Sequence, residues 1–401
     1  MGQHRKFTTF ALLEESTPGT TPASAMQLIS AGGMPAFKRE RSTGAPDFET
    51  SGSLTPYPQE IFTDEGSLSI PATPLVYRNM VQCHEGVYAS DEVVVAAVTG
   101  TDISVASNIM NSVASGFGNI KVGDCFHIAF GGSGPTDGVY GPVLLQTASD
   151  ITFPAGQIAN FSAGSTVTIK TYNRLVEGTT FKSYSAEWKA TALTTYFEGG
   201  TYFVPNSHEW SWSAGGGFTT ETCSFRGKKP TKAAATIGTG AATAAPTSAA
   251  MNSANRFGTL WVGEGATNIL AAATVSDLTF GIARDNGFQP GLGSTDFSVA
   301  CLGDLTTSLK ATVVLDDVTA AIVDEYEDLD TLWARWDMTD AQGNRMVWFQ
   351  SAMKPVGRDK GESNNILTHS LDLVGHDPLK SSGDTHNIAT MPMTALFYVA
   401  A

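Results

Sequence analysis

His208-Glu-Trp-Ser-Trp-Ser-Ala-Gly-Gly-Gly-Phe-Thr-Thr-Glu-Thr-Cys-Ser-Phe-Arg-Gly-Lys-Lys229 is the stretch whose reading decides the fold. Glu209, Ser211 and Ser213 alternate with Trp210 and Trp212. After the three glycines, Thr220, Thr222 and Ser224 alternate with Glu221, Cys223 and Phe225. Successive strand side chains point to opposite faces, so each arm reads as a strand with one aromatic or apolar face and one hydroxyl face. Gly215 to Gly217 supply the turn of a hairpin.

The same pattern recurs outward from this hairpin. Gly66 to Ile70, Thr179 to Ala190, Ala273 to Arg284 and Ser308 to Asp317 read as strands, and in the last of these Leu309, Ala311, Val313 and Leu315 share a face. TLWARWD and RMVWFQSAMK flank the turn Asp340 to Asn344 as a further hairpin, Ile366 to Asp377 alternates again, and ALFYVA ends the chain like a strand. Two helices are expected: Thr73 to His84, with Leu75, Val76, Met80 and Val81 inward, and a segment after Asp316-Asp317 carrying Val318, Ile322, Tyr326 and Leu329 at helical spacing. Short strand-like runs between Asp91 and Lys170, separated by Gly-rich turns, read as an inserted β module. Pro230 to Ala250 is low-complexity Ala/Thr/Gly without an apolar face and reads as a linker. The expected fold is therefore mainly β: tandem β-sandwich or barrel domains, each with a short helix, plus the small module. The divisions are 1–90 (N-terminal arm, long loop and start of the first domain), 91–172 (module), 173–229 (rest of the first domain), 230–255 (linker) and 256–401 (second domain with C-terminal arm). The two halves share an order of strand, helix and aromatic-rich strands, although the short matches SGSL at Ser51, GSLS at Gly66 and GDLT at Gly303 do not prove a duplication.

Composition narrows the function. Only 16% of the 401 residues are charged, and Gly is abundant at 41 residues. That mix suits short strands, turns and surfaces that neighbouring subunits cover. With 39 acids against 24 bases the net charge is −15, which excludes a protein that grips phosphates through basic residues. Cys83, Cys125, Cys223 and Cys301 lie far apart, without the close pairs of a zinc site or the density of a disulfide scaffold, and are expected reduced. The apolar run Phe10 to Leu13 is too short for a signal-peptide core, and no stretch approaches the ~20 residues of a membrane span. A soluble chain made in a cytoplasm is expected.

Catalytic patterns are thin. No phosphate-binding loop or nucleophile elbow occurs, and GGSGPTDG (Gly131 to Gly138) lacks dinucleotide spacing. His84-Glu85 and His208-Glu209 begin like H-E-x-x-H, but neither has the second histidine. Asp324, Glu325, Glu327, Asp328 and Asp330 lack calcium-loop spacing and read as a solvated helix face. His369 reads as a core histidine. Trp188, Trp210, Trp212, Trp333, Trp336 and Trp348 read as core packing rather than a sugar-stacking platform. No enzyme activity, cofactor or metal is expected.

ALLEESTPGTTPAS (Ala11 to Ser24), with its doubled glutamate and Thr/Pro/Gly run, resembles the N-terminus of the tail tube (major tail) proteins of long-tailed, siphophage-type bacteriophages. The polar loop ending at Gly66-Ser-Leu-Ser, RLVEGTTFKSYSAEW (Arg174 to Trp188), TETCSFRGKKP (Thr220 to Pro230), SLKATVVLDD and the hairpin around DAQGN follow in the order of that family, whose members often carry an inserted β module. SIPATPLVYRNMV (Ser69 to Val81) departs from it, being richer in proline and less acidic. The resemblance implies a virion protein whose subunits form rings with sheets lining a channel. The rings stack into a tube for DNA ejection, together with tape-measure, tail terminator and tail-tip proteins. DNA would pass transiently and non-specifically, and no membrane is involved. A tandem duplication implies a pseudo-sixfold ring of three subunits, which is the expectation here, and a single tube domain implies six. The segments Met1–Thr21, Lys38–Glu65 and Lys380–Ala401 are expected to bridge subunits or rings, with Lys38, Arg39, Arg41, Glu60, Phe62, Leu396, Phe397 and Tyr398 as contact residues. The alternatives are another structural virion part (distal tail, baseplate or capsid decoration) and a secreted carbohydrate-binding β protein.

Overall fold

In the computed structural model, residues 8–399 are described apart from 22, 32–34, 44–60, 73–78, 115, 133, 191–195, 215–218, 247–250, 252–256, 266, 273–274, 291–296, 315–330, 364–365 and 376–390. The protein is mainly β, with 58% of the described residues in strands and 3% in helix. The alternating stretches form a front sheet of eight antiparallel strands. Its spatial order is β3 (Ala36–Thr43), β4 (Ile61–Ala72), β17 (Thr220–Lys228), β16 (Phe197–Ser213), β21 (Val275–Arg284), β24 (Leu305–Val314), β27 (Ile366–Gly375) and β26 (Arg345–Ser363). One face carries Leu68, Trp210, Phe225, Phe280 and Leu309 into the core, while Ser67, Ser211, Thr222 and Ser308 occupy the other.

Two back sheets cover the apolar face, and each is joined to the front by one long strand. The first half of β16 continues into β2 (Gln27–Leu28), β1 (Thr8–Glu14), β15 (Tyr184–Ala190) and β18 (Thr231–Ala233). The first half of β26 continues into β20 (Thr267–Ala272), β19 (Leu260–Glu264) and β25 (Leu332–Thr339) on one side. On its other side lie β28 (Thr394–Val399), β14 (Tyr172–Val176) and β5 (Val93–Val95). Between front and back sit Trp210, Trp212, Trp336 and Trp348, with Trp212 and Trp348 edge to face at 5.1 Å and Trp336 and Trp348 stacked at 6.2 Å. Each indole removes ~150–250 Å² from water, so the tryptophans serve as core, as their spacing implies.

The pairing pattern occurs twice. β1, β2, β3, β4, β15, β16 and β17 pair with one another as β19, β20, β21, β24, β25, β26 and β27 do. Matching by register superposes Phe37 on Phe280, Ser67-Leu68 on Ser308-Leu309, and Ala186 and Trp188 on Ala334 and Trp336. Even the irregularities coincide, since both long strands bulge immediately after a proline, Pro205 or Pro355. The front sheet reads as two four-stranded units side by side, each in the order first, second, fourth, third. The halves share one core instead of building two separate sandwiches. The expected linker joins strands of that one body. β18 lies within it, and Ile237 and Thr243 hydrogen-bond to Glu187 and Met26.

The inserted module is a third layer. It holds β6 (Val98–Gly100), β7 (Ser104–Ala106), β8 (Ile109–Asn111), β9 (Phe126–Phe130), β10 (Gly138–Tyr140), β11 (Leu145–Gln146), β12 (Asp150–Thr152) and β13 (Val167–Ile169) in two four-stranded sheets. A separate two-stranded hairpin, β22 (Gly287–Pro290) and β23 (Phe297–Cys301), lies between β21 and β24. The module packs against Trp333, Val347, Phe349 and Phe397 on the far side of the second back sheet. Asp124 anchors it, accepting from the Tyr172 hydroxyl at 2.5 Å and Arg174 at 2.8 Å, and Arg335 donates to the Gly141 carbonyl at 2.7 Å.

Three expectations change. The helix is α1 (Val81–Tyr88), later than Thr73 to His84, because β4 runs on through Pro71 and the Asn79 side chain bonds the Ser30 backbone just ahead of it. The N-terminal segment is not an arm from Thr8 onward, since β1 lies between β2 and β15. The end of the chain is not an arm from Thr394 to Val399, where β28 is wholly buried between β14 and β26. The second expected helix and the acidic cluster Asp324 to Asp330 lie outside the described residues.

His127 in β9 reports on the seating of the module. Burial, reinforced by Arg345 and Lys170, pushes its pKa down to about 4. The unfolded chain, with an ordinary imidazole, therefore binds the extra proton first, and stability falls as pH drops from about 6.5 towards about 4. In His127→Gln the urea midpoint should fall less over that interval than in the native chain. An unchanged difference between the two pH values would show that His127 does not couple the module to pH.

Candidate functional site

Four separate elements converge on one buried polar cluster. α1 ends with Ala89 in the left-handed region (φ 54°), whose N–H reaches the Gly86 carbonyl, and Arg284 of β21 donates to the Val87 and Tyr88 carbonyls at 2.6 and 3.0 Å. A cation at a helix C-terminus opposes the helix dipole and satisfies carbonyls that have no helical partner. Gly86 lets the helix lie flush on the sheet, where a Cβ would collide with Pro205 and Tyr184. The seating aims His84 inward, towards His208 on β16 and Glu221 on β17.

Glu221 Oε1 lies 2.6 Å from His84 Nε2 and 2.7 Å from His208 Nε2. The far nitrogen of His84, Nδ1, bonds the Tyr398 hydroxyl from β28. His208 stacks on Trp210, with ring centroids 4.0 Å apart and planes 10° from parallel. All of these residues are buried. Burial pulls the Glu221 carboxyl up, but attraction to His84 and the two imidazole hydrogen bonds outweigh it and hold the pKa down at about 2. Burial pushes His208 down to about 4 against the pull of Glu221, so its imidazole is neutral at neutral pH. His84, His208 and Glu221 each offer a metal-ligating atom, all within 4.8 Å of one another.

The two half-motifs noted in the sequence thus meet through their histidines. The glutamates beside them turn elsewhere: Glu209 is exposed and Glu85 lies 3.9 Å from Lys182. Sequence reasoning missed the meeting, yet a signal existed. Glu221 falls on the same side of its strand as Cys223 and Phe225, and His208 on the same side as Trp210 and Trp212, so both were due to be buried. Burying such groups requires partners.

The doubled glutamate of the N-terminus also has a structural account. Glu15 is buried and accepts from Gly19 N–H, Ser183 Oγ, Ser185 Oγ and Tyr202 N–H at 2.7 to 2.9 Å, tying the turn at Thr17–Thr20 to β15 and β16. Glu14 joins Asp91 and Glu85 around Lys182, at 3.3, 2.5 and 3.9 Å.

The expected contact residues divide. Lys38 and Arg39 are exposed on β3, Arg41 stands opposite Asp64 in the same hairpin, and Phe62 is part of β4. Glu60 lies outside the described residues. Leu396, Phe397 and Tyr398 are a correction: each is fully buried, because β28 is covered by the front sheet on one side and the module on the other, and none faces a second subunit. Cys83, Cys125 and Cys223 are buried, Cys301 is exposed, and all four are free thiols. Among the described residues no helix is long and apolar enough to cross a membrane.

No protein-family model and no curated protein matches this sequence.

Removing one partner from a buried, hydrogen-bonded charge cluster costs about 3–5 kcal/mol. Glu221→Ala should lose that much in denaturant unfolding, and Glu221→Gln, which keeps the shape, should lose less. Equal and small losses in both would show that the carboxylate is not what holds α1 to the sheet.

Proposed function

We propose that this chain is a structural virion protein that polymerises as stacked rings into a bacteriophage tail tube and forms the channel for DNA ejection. One observation carries the reading: the front sheet is two equivalent units side by side, with the joint used between them left open at both ends. The third strand in chain order of the first unit, β16, pairs with the first strand of the second unit, β21. The corresponding strands at the outer edges are the distal half of β26 and β3, and among the described strands these pair on one side only, with β27 and β4. Open edges invite further pairing, and a ring removes them. Eight strands alternate in direction, so β26 of one copy meets β3 of the next antiparallel, as β16 meets β21.

Strand spacing selects the number of copies. Three copies of eight strands make 24. At about 4.8 Å each these span on the order of 115 Å of circumference, a diameter of about 37 Å before strand tilt, whereas six copies would double it. Three copies therefore suit a bore for one duplex. The outer face of the front sheet would line it with hydroxyls such as Ser69, Ser211, Thr222, Ser224, Thr279 and Ser308. Lys310 on that face is paired with Asp372 at 3.3 Å. That face also carries Lys38 and Arg226 beside Glu209, Asp277 and Asp359, and its hydroxyls, mixed charge and a net charge of −15 offer passing phosphates little to hold. Tape-measure, terminator and tail-tip proteins would then set the length and ends of the tube.

The internal joint also supplies a register. Glu209 stands opposite Gly281 there, and the equivalent residues are Asp359 and Lys38, both exposed. The proposed contact thus places Asp359 of one copy against Lys38 of the next. Concentrated protein viewed by negative-stain microscopy should give rings or hollow tubes of threefold symmetry. Lys38→Asp and Asp359→Lys should each reduce assembly while the chain stays folded, and the double variant should restore it. A persistent monomer in the native chain would favour an accessory virion protein. Assembly indifferent to both charges would reject this register.

A further inference from the structure

We infer that His84, His208 and Glu221 form a site for one zinc-class divalent cation, Zn²⁺ or in its place Co²⁺. Two imidazole nitrogens and a carboxylate make a donor set that suits borderline ions and not calcium or magnesium, which prefer oxygen ligands. The three donors come from α1, β16 and β17, so one ion would tie the helix to both arms of the hairpin.

The geometry is close to what such an ion needs. Both Nε2 atoms already point at the same carboxylate oxygen, 2.6 and 2.7 Å away. Ligands about a tetrahedral ion at ~2.0–2.1 Å stand roughly 3.3 Å apart. The two His–Glu edges would each open by less than about 1 Å, within a triangle of donors no wider than 4.8 Å. The rings are fixed in orientation. His84 Nδ1 faces the Tyr398 hydroxyl, the kind of outer partner that holds a ligating imidazole with its other nitrogen towards the metal. His208 is clamped flat on Trp210. Its Nδ1 is buried without a hydrogen-bond partner among the described residues, so ring orientation here rests on stacking and on the contact at Nε2.

The repeat supplies an independent argument. The residues equivalent to His208 and Glu221 in the second half are Arg358 and His369. The strand pairing is the same in both halves, so the fold itself does not call for a His–Glu–His cluster at this place. It belongs to the first half, where α1 delivers the third donor. Because the donors are buried, the ion would be taken up as the two layers close, and binding would add directly to folding stability.

The test refolds the full chain from guanidinium with a chelator, with one equivalent of Zn²⁺, and with one equivalent of Co²⁺, followed by dialysis. The expected results are one retained metal per chain by elemental analysis, a melting temperature several degrees above the chelator-treated protein, and visible Co²⁺ absorption of tetrahedral strength. Cys301→Ser, which removes the exposed thiol, should keep all three. His208→Gln can still donate to Glu221 and should remain folded but retain no ion. Metal no higher than background in the native chain, with identical melting in chelator and Zn²⁺, would overturn the site. So would one full equivalent retained by folded His208→Gln, which would place the ion elsewhere.

Discussion

The ladder between β16 and β21 is the contact on which the rest of the structure depends. It runs from Ser207 opposite Ala283 to Ser213 opposite Asp277 and turns two four-stranded units into one sheet. Because side chains alternate at every residue, a slip of one position would carry Trp210 and Trp212 to the hydroxyl face and Glu209 and Ser211 into the core. Burial of those indoles against Trp336 and Trp348 fixes the register. The two long strands then fix the depth of the fold, since each begins in a back sheet and enters the front sheet at a bulge. A bulge bends and twists a strand locally, so one chain segment can serve two layers.

The price of this layering is polar groups at places that water does not reach. The second back sheet is covered on both sides, and its strands accordingly lack alternation: β28 is buried at all six residues and β25 at seven of eight. Arg335 donates there to the Gly141 carbonyl, and burial lowers its pKa against the pull of nearby acidic groups. In the first half the corresponding burden falls on the His84–Glu221–His208 cluster. It ties helix and hairpin through groups that can coordinate a cation as well as one another.

Much of this was legible in the sequence because a half-buried strand writes its two faces into every second residue. The two arms of the hairpin expected over His208–Lys229, the described parts of the strands expected over Ala273–Arg284 and Ser308–Asp317, and the tryptophan core followed from that rule. The failures have physical causes. A strand buried on both faces, such as Thr394–Val399, has no alternation, so it cannot be told from a terminal arm that buries itself in a neighbour. Module strands of two or three residues, such as β7, β8 and β12, are shorter than any periodicity. The repeat was faint because it lies in register and in bulge position, while the residues differ, with His369 at the place of Glu221 and Arg358 at the place of His208. GDLT at Gly303 was a false equivalence, as pairing matches Gly66 to Thr307.

An internal repeat changes what an open sheet edge means. An isolated domain with an unpaired strand is an aggregation hazard, and natural proteins blunt such edges with charge. Here the edges carry charge at Lys38, Arg39, Asp359, Lys360 and Glu362, and between its own halves the chain pairs the equivalent strands β16 and β21. In the ring proposed above, the joint within each subunit is held by the chain itself, and its twin would form between subunits. The same kind of pairing would then serve twice: a permanent seam at β16–β21, and a proposed seam at β26–β3 where Lys38 and Asp359 meet.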